Sequence, residues 1–139
     1  MAKTGPILIL EDDQDDREIY ETIMASLGVK NEIRFFEGGD DLLRYLQVTH
    51  EQPFIILSDV NVPRMSGLEL RRQINADELL RRKSIPFVFL STVESKEVVD
   101  EVYELTVQGY FVKKNVMSEV EKQVKQILDY WRDCKHPNA

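Results

Sequence analysis

The chain is poor in the residues that staple, ligate or anchor. Its 139 residues include one cysteine, one tryptophan and two histidines. The single thiol, Cys134, has no partner for an internal disulfide, and no Cys or His cluster surrounds it, so it reads as an ordinary cytosolic thiol. His50 reads as a surface loop residue without a role. No apolar run approaches the ~20 residues that a bilayer span needs. The first residues lack a long apolar core and a small-residue cleavage site, so no secretory signal is expected. Positive charge is also short, with 18 Lys and Arg against 25 Asp and Glu, a net charge of −7. That balance opposes sequence-independent nucleic-acid binding, which needs a basic face. One local basic stretch, Arg64, Arg71, Arg72, Arg81, Arg82 and Lys83, is mixed with Glu69, Asp77 and Glu78 and reads as a solvated helix face. What remains is a cytoplasmic protein without membrane or nucleic-acid contacts. Its length fits one domain, 1–139 with a core of about 6–133, and its 42% hydrophobic content suffices for one sizeable core. No linker, repeat or low-complexity segment interrupts it.

What is present is a series of short apolar runs that end in polar groups. Phe54-Ile55-Ile56-Leu57 leads to Ser58-Asp59, and Pro63 and Gly67 then turn the chain. An unbroken apolar run of this kind reads as a strand buried on both faces, as in a parallel sheet. Ile7–Leu10 runs into Glu11, Asp12 and Asp13; residues 86–90 run into Ser91 and Thr92; Tyr110-Phe111-Val112 runs into Lys113 and Lys114. A further strand is expected over 32–36. Between these runs the apolar spacing predicts helices over 14–27, 40–48, 66–76, 94–107 and 118–132. The segment 77–84 reads as a polar connection, and the tail from 135 as frayed. Five strands alternating with five helices imply right-handed crossovers and a parallel sheet covered on both faces, an α/β architecture.

Strand ends of a parallel sheet share one edge, where ligands bind. Four strands end in side chains suited to one reaction: Glu11 and Asp12, Asp59, Ser91 or Thr92, and Lys113 or Lys114. Clustered carboxylates repel one another, and a hard divalent cation such as Mg²⁺ relieves that repulsion through oxygen ligands. A lysine ammonium and a hydroxyl can hold an anion opposite. Aspartate is a nucleophile toward phosphoryl groups, and such transfer depends on positioning and charge neutralisation. Taken singly, each residue has a plainer role as a helix cap, a loop residue or a surface charge. Their joint occurrence on alternating strand ends points to a Mg²⁺-dependent aspartyl-phosphorylation site.

Four motifs in order carry a resemblance over almost the whole chain. They are Ile-Leu-Ile-Leu-Glu11-Asp12-Asp13, the stretch from Ser58-Asp59 through Asn61, Pro63 and Met65 to Gly67, Ile85-Pro86 through Ser91-Thr92, and Gly109-Tyr110-Phe111-Val112-Lys113. The sequence resembles the receiver domains of two-component response regulators. That resemblance implies a flavodoxin-like doubly wound sheet of order 2-1-3-4-5 with five helices. It implies Asp59 as phosphoacceptor, and Asp12 and Asp59 as metal ligands with Glu11 acting through water. Asn61 would contribute its backbone carbonyl, Ser91 the hydroxyl and Lys113 the ammonium. Ser91 and Tyr110 would be the switch pair. They would act on a face built from the fourth predicted helix, the fifth strand and the last helix, where a downstream protein target docks. A sensor histidine kinase or phosphotransfer protein is the implied donor. Tyr103 and its charged neighbours offer a homodimer face.

The match departs from the family's pattern at three positions. Lys114 stands where proline normally follows the lysine in a cis bond; a cis bond is expected to persist here. Thr92 and Val93 stand where small and polar residues are usual, which implies slow loss of the phosphoryl group. The implied protein is a stand-alone receiver and not an enzyme, similar to the single-domain regulators paired with bacterial phytochrome kinases. Two alternatives are a haloacid-dehalogenase-like Mg²⁺ phosphatase and a pseudo-receiver that is never phosphorylated. Asn61 opposes the phosphatase, which needs a second Asp two residues after its nucleophile.

Overall fold

The computed structural model describes residues 2–138. A 3₁₀ turn (Ala2–Thr4) precedes β1 (Ile7–Leu10), α1 (Gln14–Ser26), β2 (Ile33–Phe36), α2 (Gly39–Val48) and β3 (Ile55–Ser58). α3 (Gly67–Asn75), α4 (Glu78–Lys83), β4 (Phe87–Ser91), α5 (Lys96–Glu104), β5 (Gly109–Val112) and α6 (Met117–Asp133) follow. The five strands form one parallel sheet of order β2-β1-β3-β4-β5.

Alternation along each central strand supplies two cores. Ile7, Ile9, Ile55, Leu57, Val88 and Leu90 face one side, under α1 and α6, with Ile23, Val124 and Leu128. Leu8, Leu10, Ile56, Phe87 and Phe89 face the other, with Leu42 and Leu46 of α2, Leu70 and Ile74 of α3, and Val102 of α5. β1, β3 and β4 are buried on both faces, which is why they read as continuous apolar runs.

Three features differ from the sequence reading. First, six α-helices lie among the described residues, because 77–84 is not a plain connection. Asp77 accepts from the amides of Leu79 and Leu80, Leu80 is buried, and Arg81, Arg82 and Lys83 end the helix. Two turns are too short to show a 3.6-residue period, and local capping and dipole complementarity form the helix instead. The helix expected over 94–107 is also shorter: Ser95 caps it, and Thr106, at φ 60°, ends it.

Second, Arg71 is no solvated base. It is 0% exposed, with its guanidinium 5.2 Å from the Phe87 ring, and it donates to the carbonyls of Leu105 (3.1 Å) and Thr106 (3.4 Å) at the end of α5. Burial pulls its pKa down to about 10, and Arg81 adds to that effect. The carbonyl-rich helix end accepts the cation in place of a carboxylate.

Third, the tail is docked through Asn138. His136 is 1% exposed. Its Nδ1 accepts from the Asn138 amide (3.1 Å), so Nε2 carries the proton and donates to the Phe54 carbonyl (2.9 Å). Asn138 also donates to the Arg82 carbonyl. His136→Ala is expected to lower stability by about 1–2 kcal/mol, because it leaves a buried carbonyl without its donor. Urea unfolding measures this, and an unchanged midpoint would mean that the tail adds nothing.

Candidate functional site

The site forms at the carboxyl edge of the sheet because parallel strands in register bring their ends together. Leu10 pairs with Ser58 and Ser91 with Val112; the Asp59 amide donates to the Leu10 carbonyl (3.0 Å), and the Lys113 amide donates to the Ser91 carbonyl (2.8 Å). Residues far apart in sequence are thereby fixed side by side.

Glu11 is 1% exposed, whereas Asp12 is exposed and Asp59 half-buried. Asp59 Oδ1 accepts from the Val60 amide at 2.7 Å. Burial pushes the Glu11 carboxyl above its usual range; Lys113 opposes the shift and the Asp59 charge adds to it. That crowding of like charge is what a cation would relieve, and the donor set is all oxygen, as Mg²⁺ prefers. Among the described residues, however, no three acidic, His or Cys side chains yet form a cluster that could hold a metal. Asn61 lies exposed in the loop two residues after Asp59.

The β3–α3 loop carrying Asn61 is tied down on one side. Arg64, at φ 63°, donates to Asp40 (2.9 Å) and to Asp41 (2.5 Å), and the Gly39 amide donates to the Met65 carbonyl (2.8 Å). On the other side Ser66 caps α3, and Gly67 lies so close to β3 that a Cβ there would stand 2.0 Å from the Asp59 carbonyl oxygen.

Ser91 is the buried hydroxyl at the end of β4, and Thr92 is exposed. The Val93 amide donates to Ser91 Oγ (3.3 Å). Tyr110 is half-buried, its ring stacked on Phe89 at 5.8 Å and its hydroxyl donated to the Val93 carbonyl. Burial raises the Tyr110 pKa, partly offset by Ser91. The two expected switch residues are therefore joined through one loop residue.

Lys113 departs from expectation. Among the described residues the only cis peptide bond is Ile85–Pro86, so Lys113–Lys114 is trans, the form that avoids the roughly 3 kcal/mol penalty of a non-proline cis bond. The ammonium donates to Glu11 Oε1 (3.1 Å), stands 3.9 Å from Asp16 Oδ2, and lies 5.3 Å from the centre of the Tyr20 ring. It forms no ion pair with Asp59 among the described residues. Burial works against the Lys113 charge, but Tyr20, Glu11 and Asp16 outweigh it and push its pKa upward. Sequence reasoning missed Tyr20 and Asp16. Both lie within the helix expected over 14–27, and nothing in their spacing pointed to Lys113.

Comparison with known proteins agrees with this architecture. Residues 7–125 match the family model of the response regulator receiver domain. Response regulator Rcp1 of Synechocystis is 28% identical over 130 residues, covering 90% of this chain and 87% of its own. The phosphorylated cyanobacterial phytochrome response regulator RcpA superposes with a TM-score of 0.84 at 28% identity, covering 92% of this chain and 94% of that one. The Mn²⁺-bound form of Rcp1 gives 0.82 at 27%, covering 94% and 96%. No helix among the described residues is long and apolar enough to cross a membrane. By sequence match, strand order and strand-end chemistry, this chain belongs to the response regulator receiver domain family.

Proposed function

We propose that the chain, as one receiver unit over about 6–133, is a switch set by phosphorylation of Asp59. The carrying observation is the placement of Glu11, Asp59, Ser91 and Lys113 on the ends of β1, β3, β4 and β5 at one edge of one sheet. An Asp59 carboxylate oxygen attacks phosphorus and forms an O–P bond. The bond from phosphorus to the donor breaks, and its electron pair leaves with the donor, an imidazole nitrogen that takes up a proton or an acetate oxygen. Glu11, Asp12, Asp59 and the Asn61 carbonyl would hold Mg²⁺, which when bound neutralises charge on the transferring group. Ser91 donates its hydroxyl to one phosphoryl oxygen and Lys113 its ammonium to another. Engaging Ser91 disturbs the Val93 loop residue that Tyr110 holds, and this repacks the α5–β5–α6 face toward a downstream protein. The donor is a histidine kinase or phosphotransfer protein, and the likeness to RcpA favours a phytochrome-type kinase.

Acetyl phosphate with Mg²⁺ should add about 80 Da, one phosphoryl group, to the intact protein in the mass spectrum. No adduct would overturn the reading in favour of a pseudo-receiver, and rapid turnover of phosphate esters would favour a phosphatase. The exposed Thr92 and the apolar Val93 beside the site should keep the adduct for minutes or longer; a half-life of seconds would refute that.

A further inference from the structure

The Lys113 ammonium, which the phosphoryl group is to meet beside Mg²⁺, is already engaged elsewhere. We propose that Tyr20 and Asp16 of α1 are positioning residues that hold Lys113 on the α1 side of the pocket, so that phosphoryl capture at Asp59 requires Lys113 to leave the Tyr20 ring. The inference rests on Asp59 being the phosphoacceptor.

Three observations support it. The Lys113 ammonium is shared among the Glu11 carboxylate at 3.1 Å, the Asp16 carboxylate at 3.9 Å and the Tyr20 ring at 5.3 Å, while Asp59 is not among its ion-pair partners. The hold is dry at two of its three contacts: Tyr20 is 3% exposed, Glu11 is buried and Lys113 nearly so, which leaves the cation–π and Glu11 contacts weakly screened, whereas Asp16 is half-exposed. Finally, a small cavity of about 90 Å³ lies beside Lys113, lined by Asp16, Tyr20, Asn115, Met117 and Val120. On the α1–α6 side Lys113 is therefore bordered by open space and not by packed core, so the Tyr20 and Asp16 contacts hold it there.

A ligand shifts such an equilibrium only by its differential affinity for the two states. A doubly charged phosphoryl group at Asp59 attracts Lys113 more strongly than the unmodified carboxylate does, and the α1 contacts subtract from that gain. Weakening them should make the phosphorylated state easier to reach. Glu11 contributes to the same hold, but it belongs to the acidic pair and is not a clean probe.

Beryllofluoride with Mg²⁺, which imitates the phosphoryl group without turnover, tests this by calorimetry on the full chain. Tyr20→Leu should bind beryllofluoride about 3- to 10-fold more tightly than wild type, the range for loss of one partly buried cation–π contact. Tyr20→Phe keeps the ring but removes the hydroxyl that interacts with Lys113, so its affinity should fall between wild type and Tyr20→Leu. Asp16→Asn, at a half-exposed position that should tolerate the change, should tighten binding by about 2- to 3-fold and carries the test if the leucine variant fails to fold. In the resting wild type, NMR should place the Lys113 ε-methylene protons upfield because of the Tyr20 ring current, and beryllofluoride should move them downfield. Unchanged affinities in both variants, or an ε-methylene shift that ignores beryllofluoride, would overturn the inference while wild-type binding leaves the Asp59 reading standing. No binding by wild type would overturn both.

Discussion

Asp59→Asn is expected to leave the protein folded and to abolish the acetyl phosphate adduct. The amide has the shape of the carboxylate and keeps an oxygen to accept from the Val60 amide at 2.7 Å. It lacks the anionic oxygen that attacks phosphorus, so the loss should be complete within detection and not a graded slowing. Removing this charge also relieves the buried Glu11, whose carboxyl it pushes upward. Without added metal, Asp59→Asn should therefore melt at or above the wild-type temperature. A wild-type adduct yield in Asp59→Asn would place the phosphoryl group on Asp12 or Glu11 instead.

The second large effect falls on a residue with no reactive group. Gly67→Ala should destabilise the fold by about 3 kcal/mol, the upper range for overpacking, and slow phosphorylation as well. The added Cβ would stand 2.0 Å from the Asp59 carbonyl oxygen and 2.7 Å from Ser58 Oγ. The nearer atom is backbone, so no side-chain rotation relieves the clash. Either α3 retreats or the end of β3 bends, and both displace Asp59. Gly28 is the informative control. It sits at φ +67° with nothing near its missing Cβ, so Gly28→Ala should cost about 1 kcal/mol through the left-handed backbone alone and leave phosphorylation untouched. Urea unfolding of the two variants separates the effects. A midpoint for Gly67→Ala that matches Gly28→Ala would show that the approach of α3 to β3 is dispensable.

These expectations rest on two kinds of legibility. Strands β1, β3 and β4 were readable because burial on both faces leaves an unbroken apolar run, and the residue after each run marks the reactive edge. Ser91 was separable from Thr92 through the family resemblance, and the structure buries the first and exposes the second. The misses share a cause. Arg71 and His136 are polar residues whose burial is decided by carbonyls distant in sequence, at Leu105 and Phe54, and polarity alone predicts exposure for both. α4 is formed by one capping aspartate and one buried leucine, too few positions to show a period. The direction taken by Lys113 depends on Tyr20 and Asp16 of α1 reaching the residue that follows β5, which no local pattern encodes.

The underside of the sheet has a consequence for what can be joined to this protein. Lys3 donates its ammonium to the Arg132 carbonyl, Asn31 bridges the Lys3 carbonyl and the Arg132 guanidinium, and His136 holds Phe54 at the start of β3. The first and last turns of the chain thus lie together, a strand's length away from Asp59. Such a layout favours circular permutation: a short linker could close the two ends, and new ends could be cut in an exposed loop, while the reactive edge kept its geometry. It also favours insertion as a cassette into a host loop, since Lys3 and Arg132 meet at the edge of the sheet that does no chemistry.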